Sequence, residues 1–435
     1  MEIHKKVVIL LFFIFTNVLQ TSSSLELTGF IDKIISISSK NTIANTQFKP
    51  SDYLKYFSGL RNEDLYLNAS QLIAKYGFPV ETHYVTNEQG YILTLFRIPG
   101  TGPPVFLFHG LLLSADEFII AGPESAMAYQ LARDGYDVWM GNARGTKYSR
   151  AHQHLDPDKD SEYWNFSFTE IGVYDVPAML DYILQVTKYP KLIYIGHSQG
   201  TTTFLVMCSE KPEYNDKIYL MIAMGLVAYV SNIKSPVLKS LALFPKEEYF
   251  LYKLLDYPNE ILPNSELSRA LAAIFCGVYG LAAIICSNIA FLLFGYDYAQ
   301  LNITNIPNIA QHVPAGASTL QFIHYFQVAN SGNFQQFDYD EAKNMVVYGS
   351  KAAPFFELHK VIAPVYIFQG DNDWLADPKD ALKTRSQLSN VREYYRIPFP
   401  KFNHLDYLWG QVKCTSPITR HNLTSLLRRL IMLRL

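Results

Sequence analysis

Charge is scarce in this 435-residue chain. Asp, Glu, Lys and Arg make up 17%, and the formal net charge is −2 at pH 7. Without a basic excess there is no electrostatic basis for a nucleic-acid partner. Cysteine is scarcer still: the chain has four, none of them in a Cys-x-x-Cys pair. No His-Glu-x-x-His segment occurs, so no metal spacing exists and neither metal nor organic cofactor is expected. Internal repeats and low-complexity tracts are also absent, which excludes a repeat array. The first apolar run, VVILLFFIFT at 7–16, has ten residues, whereas a bilayer span needs about 20. Two lysines precede it and small residues at 22–24 follow it. That is the pattern of a secretory signal peptide over 1–24, followed by removal.

What is abundant is apolar surface. The chain is 49% hydrophobic and 14% aromatic, with 30 Tyr and 28 Phe. This suits a protein that handles apolar molecules, although a large buried core gives the same bias. Four glycosylation sequons, at Asn68, Asn165, Asn302 and Asn422, agree with a secretory route and place their asparagines at the surface. Cys276 and Cys286 stand ten apart and could close a small loop in an oxidising compartment. Cys208 reads as a buried small hydrophobe, and Cys414 is isolated in sequence.

Residues 25–66 are mixed and polar and read as an N-terminal arm. Two strands then flank the turn at Asn87–Gly90, within 81–98. Short apolar runs recur at 104–108, 136–140, 192–195 and 364–368, each the length of a strand buried on both faces. Helical segments are expected at 116–133, 175–187, 199–210 and 378–389. This alternation predicts a doubly wound α/β domain. The pattern breaks over 229–350, where longer apolar helical runs dominate. The extreme stretch, 267–297, is interrupted by Ser268, Arg269, Ser287 and Asn288 and reads as a helical insertion, not a membrane span. The core is therefore expected in two parts, 67–228 and 351–435, around that insertion.

The chemistry concentrates at LIYIGHSQGTT, residues 192–202. A serine hydroxyl is a weak nucleophile and must be presented to a base and a substrate together. A sharp strand-to-helix turn does this, and Gly196 and Gly200 leave room for it, so Ser198 stands in a G-x-S-x-G turn in its required context. That architecture places an acid and then a histidine downstream. Asp371, Asp373 and Asp377 follow a strand, and His404 follows the next strand-like run. In such a triad His404 takes the proton of Ser198 while Asp373 orients the imidazole. The amides of Gln199 and of Leu111, in the FHGLLLSADEF loop, are the expected oxyanion donors.

These residues resemble the acid lipase family, the group that contains gastric and lysosomal acid lipases. The resemblance spans about 67–430 and is carried by YGFPVETHYVTNEQGYILTLFRIP, GPPVFLFHGLLLSADEF, GYDVWMGNARGTKYSR, YWNFSFTEIGVYDVPAMLDYI, GHSQGTT, HVPAGASTLQFIHYFQ, NDWLADP and NHLDYLW. It implies an α/β-hydrolase fold, with a mostly parallel sheet, helices on both faces, and a cap at 229–350 holding a lid at about 260–296. It aligns Ser198, Asp373 and His404 with the family triad, and Leu111 and Gln199 with its oxyanion donors. It favours Asp373 over Asp371 and leaves Asp377 as a helix cap. Cys276 and Cys286 resemble the family's cap disulfide. Phe294 stands where some relatives hold another cap cysteine, and the arm at 25–66 is longer than usual.

The implied protein is a secreted or lysosomal serine lipase that cleaves triacylglycerols, with sterol esters as a second substrate class, at a lipid–water interface. Two other readings remain on the sequence alone. One is a non-catalytic lipid-binding relative, and the other an acyltransferase that uses the same acyl-enzyme. The basic, leucine-rich tail SLLRRLIMLRL is expected to be an amphipathic helix on the core.

Overall fold

A computed structural model describes residues 63–241, 259–266, 268–269, 276, 286, 290–297, 299–300, 302 and 305–410. The expected signal segment, nearly all of the arm, most of the expected lid, Cys414, Asn422 and the leucine-rich tail lie outside the described residues.

Eight strands form the main path of one sheet: Glu81–Thr86 (β1), Tyr91–Ile98 (β2), Pro104–Phe108 (β3), Asp137–Gly141 (β4), Leu192–His197 (β5), Ile218–Met224 (β6), Val365–Gln369 (β7) and Val391–Arg396 (β8). Their order is β1-β2-β4-β3-β5-β6-β7-β8, and the two-residue strand Ala151–His152 also pairs with β2. β1–β2 and β2–β4 are antiparallel, and all remaining pairs on this path are parallel.

The alternation of side chains explains why the strands read as unbroken apolar runs. Phe106, Phe108 and Tyr194 feed one core, while Val105, Leu107, Ile193 and Ile195 feed the other. Helices Ala69–Lys75 (α1) and Met127–Arg133 (α2) cover the second core. Val176–Thr187 (α3) and Gln199–Glu210 (α4) cover the first. This is the mostly parallel sheet with helices on both faces that the sequence predicts.

Two details differ from the sequence reading. The run 116–133 is not one helix: a 3₁₀ turn, Ala115–Phe118, is separated from α2 by Gly122, at φ 84°, and Pro123. A left-handed glycine and an imino acid without an N–H end the first segment there. The run 218–224, which the sequence pattern does not mark as a strand, is β6 and completes the parallel sheet. Short apolar runs do not separate strand from buried helix by period alone.

Between β6 and β7 the chain leaves the sheet. The described parts include Pro236–Leu241 (α5), Ile306–His312 (α6), Thr319–Ser331 (α7) and Glu341–Tyr348 (α8). Glu260–Ile261 pairs with Ala317–Ser318 there, and Cys276 is disulfide-bonded to Cys286. After β7 come Pro378–Gln387 (α9) and Asp406–Trp409 (α10). Among the described residues no helix is long and apolar enough to cross a membrane.

Candidate active site

β5 ends at His197 and α4 begins at Gln199, so Ser198 alone makes the turn. Its φ of 51° and ψ of −119° are costly for a residue with a Cβ, by about 1–3 kcal/mol. The surroundings hold it there. The Ser198 amide donates to the Met224 carbonyl at 3.0 Å, and its carbonyl accepts from the Thr201 amide at 2.8 Å. The flanking glycines let strand and helix close on each other. A Cβ on Gly200 would lie 2.1 Å from the Phe108 carbonyl oxygen, and one on Gly196 would lie 2.7 Å from the Gly200 oxygen. Ser198 stays partly exposed while both its neighbours are buried.

Asp373 follows β7 and is fully buried. Its Oδ1 accepts from the amides of Leu375 at 3.0 Å and Ala376 at 2.8 Å. Both carboxylate oxygens face His404 Nδ1, at 3.0 and 2.8 Å. A carboxylate only accepts, so Nδ1 carries the proton and Nε2 is the basic atom. The other two acids are engaged elsewhere. Asp371 accepts from Arg396 Nε at 2.6 Å. Asp377 caps α9 through the Lys379 amide at 2.8 Å and pairs with Lys234 at 2.7 Å.

β6 links the imidazole to the serine turn. Gly225 directly follows Met224, the acceptor for the Ser198 amide. A Cβ on Gly225 would meet His404 Cε1 at 3.2 Å and Asp373 Oδ2 at 3.3 Å. From the serine side, His197 Nε2 lies 3.1 Å from the His404 carbonyl oxygen, and the two rings are 5.0 Å apart. Asp373 and His404 thus meet beside Gly225, one residue beyond the carbonyl that anchors the Ser198 turn.

The Gln199 amide opens α4, and the Leu111 amide lies in the loop after β3. Among the described residues neither donates to a protein acceptor. Gly110 brings that loop against Ser198: a Cβ there would sit 3.2 Å from Ser198 Cβ. His109 braces the loop by donating from Nδ1 to the Gly110 carbonyl at 2.8 Å and accepting the Ala143 amide on Nε2 at 3.0 Å. Burial pushes His109 down to about 4, so it stays neutral near pH 7. Leu112, at φ 63°, accepts from the Ala315 amide at 2.7 Å and ties the loop to the segment before α7.

Several neighbours of the site carry no sequence signal. Phe294 lies parallel to the His404 ring at 6.2 Å, and its carbonyl accepts the His404 amide at 3.4 Å. Gln199 Nε2 donates to Gln321 Oε1 on α7 at 2.8 Å. Asp297 and Asp406 are buried neighbours. Asp406 Oδ2 accepts the Asn403 amide at 2.7 Å. Burial, and after it the negative charge of Asp297, push Asp406 up to about 9.

The sign of the resulting pH dependence follows. Between the ordinary value of 3.8 and about 9 the folded Asp406 holds a proton that the unfolded chain has released. Its contribution to stability is therefore full below 3.8 and falls as pH rises towards 9. Asp297→Asn, which removes that neighbouring charge, is expected to flatten the rise in Tm as pH is lowered from 9 to 5. Thermal unfolding across pH checks this, and an unchanged slope contradicts it.

The sequon asparagines differ in exposure. Asn68 and Asn165 are exposed and Asn302 is half-buried. Asn68 caps α1 through Oδ1, which accepts from the Gln71 amide at 3.0 Å, so the cap does not occupy the nitrogen to which a glycan attaches.

Sequence comparison identifies the fold and the relatives of the chain. The profile of the alpha/beta hydrolase fold matches residues 103–253, and that of a partial alpha/beta-hydrolase lipase region matches 69–122. Lipase 3 of Drosophila melanogaster is 43% identical over 351 residues, which is 77% of this chain and 86% of that protein. Gastric triacylglycerol lipase of Rattus norvegicus is 37% identical over 362 residues, 81% of this chain and 90% of that protein. Lysosomal acid lipase/cholesteryl ester hydrolase of Homo sapiens is 36% identical over 354 residues, 79% of this chain and 87% of that protein.

Proposed function

The chain belongs to the α/β-hydrolase lipases, the family of the gastric triacylglycerol lipases and lysosomal acid lipase, and from that premise we propose that Ser198, His404 and Asp373 are its catalytic triad. As a member it is a lipase, a carboxylic ester hydrolase. The observation that carries the triad is the buried Asp373–His404 pair, backed onto the serine turn through Gly225 and His197.

The reaction begins when Ser198 Oγ attacks the acyl carbonyl carbon and its proton passes to His404 Nε2. Asp373 stabilises the imidazolium that forms, and the amides of Leu111 and Gln199 hold the oxyanion. The imidazolium then protonates the departing alcohol, which leaves an acyl-Ser198. The same Nε2 deprotonates a water molecule, and its attack releases the fatty acid and restores the serine.

The substrates are neutral lipids at a lipid–water interface: triacylglycerols first, with sterol esters as a second class. The names of the gastric and lysosomal relatives support both. A panel of triacylglycerol emulsion, cholesteryl ester and short soluble esters, run across pH beside Ser198→Ala, tests this. Fatty-acid release from triacylglycerol is the expected result, and cleavage of soluble esters alone would overturn the lipid assignment.

Residues 229–350 form the cap and about 260–296 the lid. Support comes from the helices and small sheet inserted between β6 and β7. The apolar sequence at 267–296 would be costly to leave in water and is satisfied at a lipid surface. Removing 267–296 is expected to abolish activity on emulsified lipid while short soluble esters are still cleaved. Equal loss of both activities counts against the lid. The reading extends to secretory delivery, to the extracellular space or the lysosome, through the signal at 1–24, with glycans on Asn68, Asn165, Asn302 and Asn422.

A further inference from the structure

Behind the proposed triad lies a buried polar pair with no part in the proton transfers. Glu117, in the 3₁₀ turn after the oxyanion loop, is 1% exposed, and His197 is 0% exposed. Glu117 Oε2 accepts the Gly110 amide at 3.3 Å and faces His197 Nδ1 at 3.4 Å. The other nitrogen of the same ring, Nε2, lies 3.1 Å from the His404 carbonyl oxygen. A carbonyl only accepts, so Nε2 carries a proton and donates it there. The backbone of the same segment is held too: the Glu117 carbonyl accepts from Trp409 Nε1 at 3.2 Å, just beyond the base loop.

One carboxyl and one ring therefore connect three separate pieces of the site. Gly110 precedes the oxyanion donor Leu111, His197 precedes the nucleophile, and His404 is the base. A Cβ on Gly110 would lie 3.2 Å from both His197 Nδ1 and Ser198 Cβ, which shows how closely these pieces meet. Burying a carboxyl in this way is expensive unless it is hydrogen-bonded. Glu117 Oε1 has no hydrogen-bond partner among the described residues, so the group is retained despite an unsatisfied atom. Burial pushes the Glu117 carboxyl up, and His197 opposes that rise. An apolar residue would fill the same space without that unsatisfied atom, and it would link none of the three loops.

We propose that Glu117 and His197 are positioning residues that lock the oxyanion loop, the nucleophile turn and the base loop into one register. The inference rests on the triad assigned above. Neither residue touches substrate. Their effect is on the alignment of Ser198, His404 and the Leu111 amide during the reaction, and so on kcat and not on KM. Misplacement of reacting groups by about 1 Å costs on the order of 100-fold in rate.

The test is steady-state kinetics on a short soluble ester, with Tm as the control for folding. Glu117→Leu fills the space but breaks both links, and kcat is expected to fall about 10- to 100-fold with KM nearly unchanged. Both links run through Oε2, so Glu117→Gln with its amide oxygen there keeps the acceptor for the Gly110 amide but offers no N–H to Nδ1, and it is expected to restore part of kcat. Should Glu117→Leu not fold, His197→Gln carries the same expectation of lowered kcat. A folded Glu117→Leu or His197→Gln with wild-type kcat overturns the proposal. So does equal loss in Glu117→Leu and Glu117→Gln. Failure of both Glu117→Leu and His197→Gln to fold would assign the pair to the core alone and likewise overturn it. A wild-type protein without esterase activity would instead overturn the triad, so the two failures are distinguishable.

Discussion

Ser198→Ala is expected to lower kcat for ester hydrolysis by at least about 10⁴-fold while leaving the fold and lipid binding intact. The size follows from what the side chain does. In the proposed mechanism its oxygen forms the acyl-enzyme, and the flanking residues His197 and Gln199 are buried and engaged elsewhere. The fold is expected to survive because alanine removes only a hydroxyl. The strained φ of 51° is set by backbone contacts to Met224 and Thr201, which alanine keeps. Residual hydrolysis would come from the oxyanion amides and from substrate binding. Fatty-acid release from a triacylglycerol emulsion, measured by titration, is the readout. A rate within about tenfold of wild type would show that the nucleophile lies elsewhere.

The second large effect is expected at Asp373. Asp373→Asn keeps the size of the side chain but places an N–H₂ or a single acceptor against His404 Nδ1. The carboxylate now accepts from Nδ1 on both oxygens and from two backbone amides on Oδ1. Those amides hold the oxygen of the asparagine in place, which turns its N–H₂ towards Nδ1. The imidazole then carries its proton on Nε2, where the serine proton must arrive. A loss of about 10⁴-fold in kcat, with little change in KM, is expected from the wrong tautomer. Asp371→Asn serves as the contrast. Asp371 binds Arg396 away from the imidazole, so its replacement is expected to leave kcat nearly unchanged. Equal effects at the two positions would contradict the assignment.

The two aspartates also show where sequence reasoning reaches its limit. They are two residues apart in one turn after β7, and neither composition nor period separates them. Resemblance favours Asp373, and the structure supplies a physical reason: Arg396, from the end of β8, holds Asp371 outward. The serine turn is easier to read because its requirements are local. A buried strand, two residues without side chains and a following helix all lie within 192–210. The strands β3, β5 and β7 are legible for a similar reason, since burial on both faces leaves a short unbroken apolar run.

Other features are not legible. β6 has the same apolar character as a buried helix turn. The break in 116–133 is signalled by Gly122 and Pro123 but outweighed by the apolar residues on either side. Glu117 meets His197 across 80 residues, and His197 meets the His404 carbonyl across 207. No local pattern encodes such contacts. The Asp297–Asp406 pair is likewise assembled only when the inserted region packs against the base loop.

Active-site labelling tests the central claim most directly, that Ser198 is the nucleophile of a lipid-ester hydrolase. The full-length protein is treated with a long-chain alkyl p-nitrophenyl phosphonate, and the adduct is located by peptide mass spectrometry while triacylglycerol hydrolysis is followed in parallel. One adduct on the peptide that carries Ser198, formed in step with loss of activity and absent from Ser198→Ala, is the predicted result. No adduct on the active protein, or an adduct elsewhere that accompanies the loss, would contradict it.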